Sequence, residues 1–273
     1  QEGNSRRRIE SLLFKEQYGE QVVVPRFRPI LPWLILFDDT TRERALSIHP
    51  EIAVEGGDAA YLSLSNRKKI LNDIVSRIAA DEDDRSARDN GAIARIAQKD
   101  LSEDALRLIT EHSANDEVIF FLGRLVWQGN MENCIEPLIS IALDPKRDMY
   151  ARIASMRAVA TVGSGEQLIL LWQSVNAKPE VIPRRLIVEL VEEAKADDTA
   201  VNLLLSSLDK LPPYEQYESS GLDGAIHAFI DKFSKLSSVE RGRLLSKLST
   251  GFNELLSRPP YYERRKCRVS SEF

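Results

Sequence analysis

Residues able to act as catalysts or ligands are few in this chain and widely spaced. Three histidines, His49, His112 and His227, fall on separate predicted elements. None has a second His, Cys or carboxylate at metal-ligand spacing on its own helix, so each reads as a surface or capping side chain. His49 precedes Pro50 and ends a helix, and His112 falls in a last turn, where a positive imidazole is mildly favoured. Cys134 and Cys267 lie far apart without CxxC spacing. Cys134 sits near the apolar stripe of its helix and reads as a buried free thiol, which suits a reducing cytoplasm. No GxSxG elbow, no GxGxxG and no phosphate-cradling GxxxxGK loop occurs. Gly163-Ser164-Gly165 reads as one helix stop and the next helix's cap. The acidic run Asp81 to Asp84 lacks the glycine and distal glutamate of a calcium loop and reads as a solvated linker. Glu189, Glu192 and Glu193 are predicted on an outer helix face with Arg185 and Lys195, with Arg185 and Glu189 as a surface pair. The sequence therefore predicts a non-enzymatic chain with no catalytic, cofactor-binding or metal-ligating residues.

Aromatic and basic residues offer binding instead. Trp172 lies on an apolar stripe and reads as core, as do Leu31, Trp33, Leu34 and Phe37. Trp127 falls off the main stripe of its helix and is the candidate exposed anchor for a partner. The run Arg6 to Arg8 reads as a solvated helix start. Arg184, Arg185, Arg241, Arg243 and the run 264–266 supply charge for an alternative reading, a nucleic-acid-binding helical protein. A net charge of -5 argues against it. The longest apolar run, Ile30 to Phe37, is too short for a membrane span and contains Pro32.

The elements that must position these residues are helices. Val118, Phe121, Leu122, Leu125 and Val126 recur at helical spacing, as do Leu168, Leu171, Trp172 and Val175, then Leu186, Ile187, Leu190, Val191 and Ala194. Such helices are too short to stand alone in water and must lie against one another. Asp116 and Asp148 sit at expected N-caps, 32 residues apart; Gly129 and Gly163 close helices 34 apart; Pro145 and Pro179 are again 34 apart. A helix-pair repeat of this length is the mark of a solenoid. The predicted fold is all-α, an α-solenoid of HEAT-like helix pairs; the Trp, Leu-Gly and Tyr pattern of tetratricopeptide repeats is absent. The expected organisation is an N-terminal helix and extended segment (1–24), a helical docking region (25–85), a repeat stack (86–211), a terminal helical hairpin (221–257) and a frayed tail (258–273). Within the docking region, Ile70, Leu71, Ile74, Val75 and Ile78 are predicted inward, and Arg67, Lys68, Lys69, Asp73 and Arg77 outward.

Two boxes mark that docking region. Pro-Arg-Phe-Arg-Pro-Ile-Leu-Pro-Trp-Leu (25–34) and His-Pro-Glu-Ile-Ala-Val-Glu-Gly-Gly-Asp (49–58) precede the 66–79 helix and the repeats. Together they resemble a region of large bacterial STAND ATPases, many of them NACHT-like or AVAST-like antiviral proteins. In those proteins the region lies downstream of the ATPase core and opens the C-terminal helical sensor. The resemblance covers residues 12 to 210. It implies a cytoplasmic sensor that recognises a protein trigger or partner and releases an ATPase domain of the same polypeptide, if this chain is a fragment. It also implies a packing junction with that ATPase, drawing on Arg26, Arg28, Trp33, Glu55 and Asp58. The chain carries no nucleotide-binding motif and no effector of its own, so no catalytic residue is implied.

Overall fold

The structure, a computed structural model, describes residues 2–81, 89–212, 220–257 and 259. The acidic run beyond Asp81, the proline-rich segment at 213–219 and nearly all of the 258–273 tail, with Cys267 and the basic run, lie outside the described residues. About 75% of the chain is helical. It divides into two compact units, residues 1–134 and 135–273.

The first unit opens with helix α1 (Glu2–Leu13) and a hairpin of strands β1 (Phe14–Gln17) and β2 (Glu20–Val23). The expected N-terminal helix thus stops at Leu13, and with the hairpin the fold is mainly rather than wholly α. Phe14 pairs with Val23 and Gln17 with Glu20, which leaves a two-residue loop. Tyr18 (φ 55°) and Gly19 (φ 84°) both take left-handed backbone, the geometry that matches a tight hairpin to strand twist. Phe14 and Val23 are the buried ends, at 3% and 6% exposure. Lys15, Glu16 and Gln17 hide the alternation in the sequence.

A 3-10 stretch (Pro25–Ile30) leads into α2 (Leu31–Leu34), α3 (Asp39–Ile48) and α4 (Ile52–Glu55). Asp38 caps α3 by accepting from the Thr41 amide at 2.8 Å. A 3-10 turn (Ala59–Tyr61) precedes α5 (Leu64–Ala79), α6 (Asn90–Ile96), α7 (Ser102–Glu111) and α8 (Asp116–Gly129). Asn115, not Asp116, is the cap of α8: its side chain accepts from the Val118 amide, and Asp116 is the first helical residue. Gly129 ends α8 as expected, but the left-handed residue that closes it is Asn130 (φ 51°).

The second unit holds α9 (Ile135–Leu143), α10 (Met149–Val162), α11 (Gly165–Ala177), α12 (Arg184–Glu193), α13 (Asp198–Asp209), α14 (Leu222–Asp231) and α15 (Ser238–Leu256). Asp148 caps α10, and the Ser164–Gln167 and Ser237–Glu240 capping boxes are formed. Alternate helices lie side by side: α10 on α12 and α12 on α14 in one row, with α9, α11, α13 and α15 in the other. Lysines tie each row at its carboxyl ends. Lys178 donates to the Leu143 carbonyl, Lys210 to those of Asn176 and Lys178, and Lys232 to those of Glu192 and Ala194. Each cation meets the last, otherwise unpaired carbonyls of the preceding helix in its row, where the helix dipole favours positive charge.

Four outward assignments are corrected by packing. Arg67 is buried; it donates twice to Asp100 (2.5 and 2.6 Å) and once to the Leu62 carbonyl (3.1 Å). Asp73 and Arg77 are half-buried. Glu189 is 2% exposed and held by Arg157, so it belongs to the interior of α12 and not to its outer face. Arg185 turns instead to the Ser220 carbonyl. In the other direction, Trp33 and Phe37 are 58% and 85% exposed; Leu31, Pro32 and Ile35 fill the core beneath them.

Candidate interaction site

The two boxes meet in the first unit. The guanidinium of Arg28 spans the acidic side chains of Glu51, at the start of α4, and Glu55, at its end. Its Nε and Nη2 donate to Glu55 (2.9 and 2.6 Å), and Nη2 also reaches Glu51 Oε1 at 3.0 Å. Glu51 collects more charge: Arg77 Nη1 from α5 donates at 2.8 Å, and His49 Nδ1 lies 3.1 Å away. Glu51 and Glu55 are four residues apart and therefore share the helix face that looks toward Arg28. Arg95 closes the far side by donating to the Val54 carbonyl at 2.8 Å. The fork of Arg28 is the geometry that paired carboxylates favour.

Gly56 and Gly57 let α4 approach α2. A β-carbon at Gly57, whose φ is +62°, would lie 2.4 Å from the Pro32 carbonyl oxygen, and one at Gly56 would lie 3.3 Å from Pro32 Cβ and 3.8 Å from Trp33 Nε1. Only glycine satisfies both the backbone and the space at 57. Asp58 is exposed and caps the 3-10 turn that follows, accepting from the Ala60 amide at 3.0 Å. Arg26 is exposed and stacks over its neighbour Phe27, 5.0 Å from the ring centre.

Of the residues singled out in the sequence, Arg28 and Glu55 are joined directly, with Trp33 close by against Gly56 and Arg26 on the same 3-10 stretch; Asp58 caps the next turn. Trp127 does not join them. It lies on α8, half-buried rather than exposed. Glu51, His49 and Arg77 were missed, although the four-residue spacing of Glu51 and Glu55 was legible. Phe37 was missed as a surface residue. With Ile30, Trp33 and Leu34 it forms an i, i+3, i+4, i+7 apolar stripe, and Ile30 is 47% exposed.

The arrangement clamps the 3-10 stretch, α4 and α5 together. Among the described residues no group of three His, Cys, Asp or Glu side chains is placed to hold a metal ion. Burial pushes the Cys134 thiol up to about 12, so it stays protonated and unreactive at neutral pH. No helix of the described residues is long and apolar enough to cross a membrane.

The clamp makes stability depend on acid. Burial works against charge on Glu51, but its backbone hydrogen bond, Arg28, Arg77 and His49 prevail and hold its carboxyl below the usual 4.5. The Arg67 hydrogen bond holds Asp100 below 3.8. Depressed folded pKa values give stability that is fully present above the unfolded values and is lost as pH falls through the folded ones. Glu51→Gln is thus expected to lower stability at pH 7 and to flatten its decline below pH 4.5. Urea midpoints measured across pH 3 to 7 check this.

Comparison of the chain with protein-family models, with curated proteins and with solved structures finds no match in any of the three.

Proposed function

We propose that the chain is a HEAT-like α-solenoid interaction module that performs no chemistry itself. It serves as the sensor or scaffold part of a bacterial STAND ATPase in defence signalling, in the cytoplasm, and binds a protein trigger or partner. The observation that carries the solenoid reading is the spacing of the polar links between helices. Arg67 with Asp100 (33 residues), Arg124 with Asn90 (34), Lys99 with Glu132 (33), Arg157 with Glu189 (32) and Trp172 with Ser207 (35) all join residues one repeat apart. A chain whose neighbours in space lie one repeat away in sequence is quasi-one-dimensional, which is the physics of a solenoid.

The docking face is the stripe Ile30, Trp33, Leu34 and Phe37. It is held rigid from below by the Arg28 clamp and by the Gly57–Pro32 contact. A water-exposed apolar stripe on a braced element supports a partner surface. The resemblance of the two boxes to the STAND sensor boundary names the ATPase domain as that partner. The nucleic-acid reading is weakened because Arg184, Arg185 and Arg243 are engaged by Pro212, Ser220 and Asp198.

Two measurements test the reading. The double variant Trp33→Ser/Phe37→Ser removes exposed groups, so its stability should stay within about 0.5 kcal/mol of the parent, while binding to the ATPase segment should weaken about tenfold or more. The coding sequence before residue 1 checks the ATPase assignment. An in-frame phosphate-binding loop supports it, and a start codon directly before Gln1 overturns it. ATP hydrolysis by the chain alone would overturn the non-enzymatic part.

A further inference from the structure

The second unit carries a cavity of about 910 Å³ between the amino-terminal half of α11 and the turn that joins α12 to α13. One wall is a single face of α11, where Glu166, Ile169, Leu170 and Gln173 succeed one another at helical spacing. The opposite wall carries Glu193, Lys195 and Asp197. Leu168 and Ala160 form an apolar floor, at 6% and 8% exposure. Leu170 stands at the lip, 61% exposed, with no place in the core.

The charges are unequal. Three carboxylates face one lysine. Asp197 is engaged as the cap of α13, accepting from the Ala200 amide at 2.8 Å. Glu166 and Glu193 accept no hydrogen bond or ion pair from a side chain among the described residues, and both are exposed. Glu166 and Glu193, neither with a side-chain hydrogen-bond partner among the described residues, therefore flank an apolar floor with an exposed leucine at its edge, and Glu193 also lies in the field of Arg157 and Lys232. Lys195 makes no ion pair with them within the groove; its Nζ lies over Gly165, 3.8 Å from where a β-carbon would stand, so the lining keeps an excess of negative charge.

We infer that this groove is a second protein-docking site, and that its occupant is a basic segment of a partner with an aliphatic side chain between its cations. The aliphatic group covers Leu170 and the Leu168 floor, and lysine or arginine side chains reach Glu166 and Glu193. An acidic segment would meet repulsion from both rims, and a purely charged one would leave the floor wet. The inference rests on the protein-binding reading above but not on the Trp33–Phe37 face, so either can fail while the other stands.

The test uses the whole chain and a fluorescein-labelled peptide of alternating lysine and leucine, with a glutamate-and-leucine peptide as control. Saturable binding of the basic peptide is expected, weakening as salt is raised. Glu166→Lys/Glu193→Lys and, separately, Leu170→Asp should each weaken it about tenfold. All three positions are exposed, so the melt of Leu170→Asp should match the parent; the glutamate double variant, which loses the attraction of Glu193 for Arg157 and Lys232, should melt slightly lower while remaining folded. Trp33→Ser/Phe37→Ser should leave this binding unchanged. Absence of binding, equal binding of the acidic peptide, or affinity indifferent to both groove variants would overturn the assignment.

Discussion

Arg157→Met is expected to destabilise the second unit by about 3–5 kcal/mol. Glu189 is the reason. Its carboxylate is 2% exposed and takes two hydrogen bonds from Arg157, Nε to Oε2 at 2.6 Å and Nη2 to Oε1 at 2.7 Å. The hydrogen bonds that it donates to Glu189 hold the guanidinium charged against the cost of its own burial, and Glu192 and Glu193 add attraction. Removing the arginine leaves a buried carboxylate without its cation, and the cost is that of the stranded charge more than of the lost bond. The double variant Arg157→Met/Glu189→Leu removes the charge as well. It should recover most of the loss, because well-packed apolar groups replace buried ion pairs at little cost. Urea unfolding gives the free energies, and amide exchange over α10 and α12 locates the weakened region. A double variant as unstable as the single one would mean that the pair's role is not charge compensation.

Trp172→Ala should cost a similar amount, about 3–5 kcal/mol. The indole has 0% exposure and is among the largest fully buried side chains of the protein. Its Nε1 donates to Ser207 Oγ at 2.8 Å, joining α11 to α13 through the core. Ser207 Oγ lies 2.8 Å from Asn176 Oδ1 and 2.9 Å from the Leu203 carbonyl, so its single proton already has acceptors on both sides. The indole is then the donor that satisfies the serine's lone pairs. Trp172→Phe separates the two contributions: it keeps much of the packing, loses the donor, and should cost about 1–3 kcal/mol. Chemical denaturation of both variants checks the order, and equal losses for Ala and Phe would assign the whole effect to the hydrogen bond.

Much of this was legible in the residue pattern. Stripes such as Leu186, Ile187, Leu190 and Val191 are buried as their spacing predicted, because helical periodicity is local and the cost of exposing such a face is large. Caps at Ser164 and Asp148 were likewise local. Cys134 is the buried thiol that its position on the stripe implied. Arg67 and Glu189 were misplaced because a charged residue defaults to water unless it is paired, and pairing is decided by a residue on another helix. Yet a signal existed. Arg157 and Glu189 are 32 residues apart and Arg67 and Asp100 33, the spacing already found in the caps and prolines.

The candidate site was half visible. Arg28 and Glu55 were named from their boxes, and the structure joins them directly. Trp33 and Phe37 were assigned to the core because large apolar side chains default to it. Only the packing of Leu31, Pro32 and Ile35 beneath them shows that the core is filled before those two rings can enter. The groove beside α11 was not legible in the sequence: Glu166 and Leu170 share one face of α11, but Glu193 is brought opposite them from α12 only by the packing.

By itself the sequence determined that the chain is mainly helical and where several of its helices begin and stop, because periodicity, capping and breakers act within a few residues. Tertiary structure alone decided which charges are interior, which aromatics are left over, and that residues 14–23 form a hairpin. Those outcomes depend on what lies across the interface, and a side chain's burial is a property of its neighbours in space.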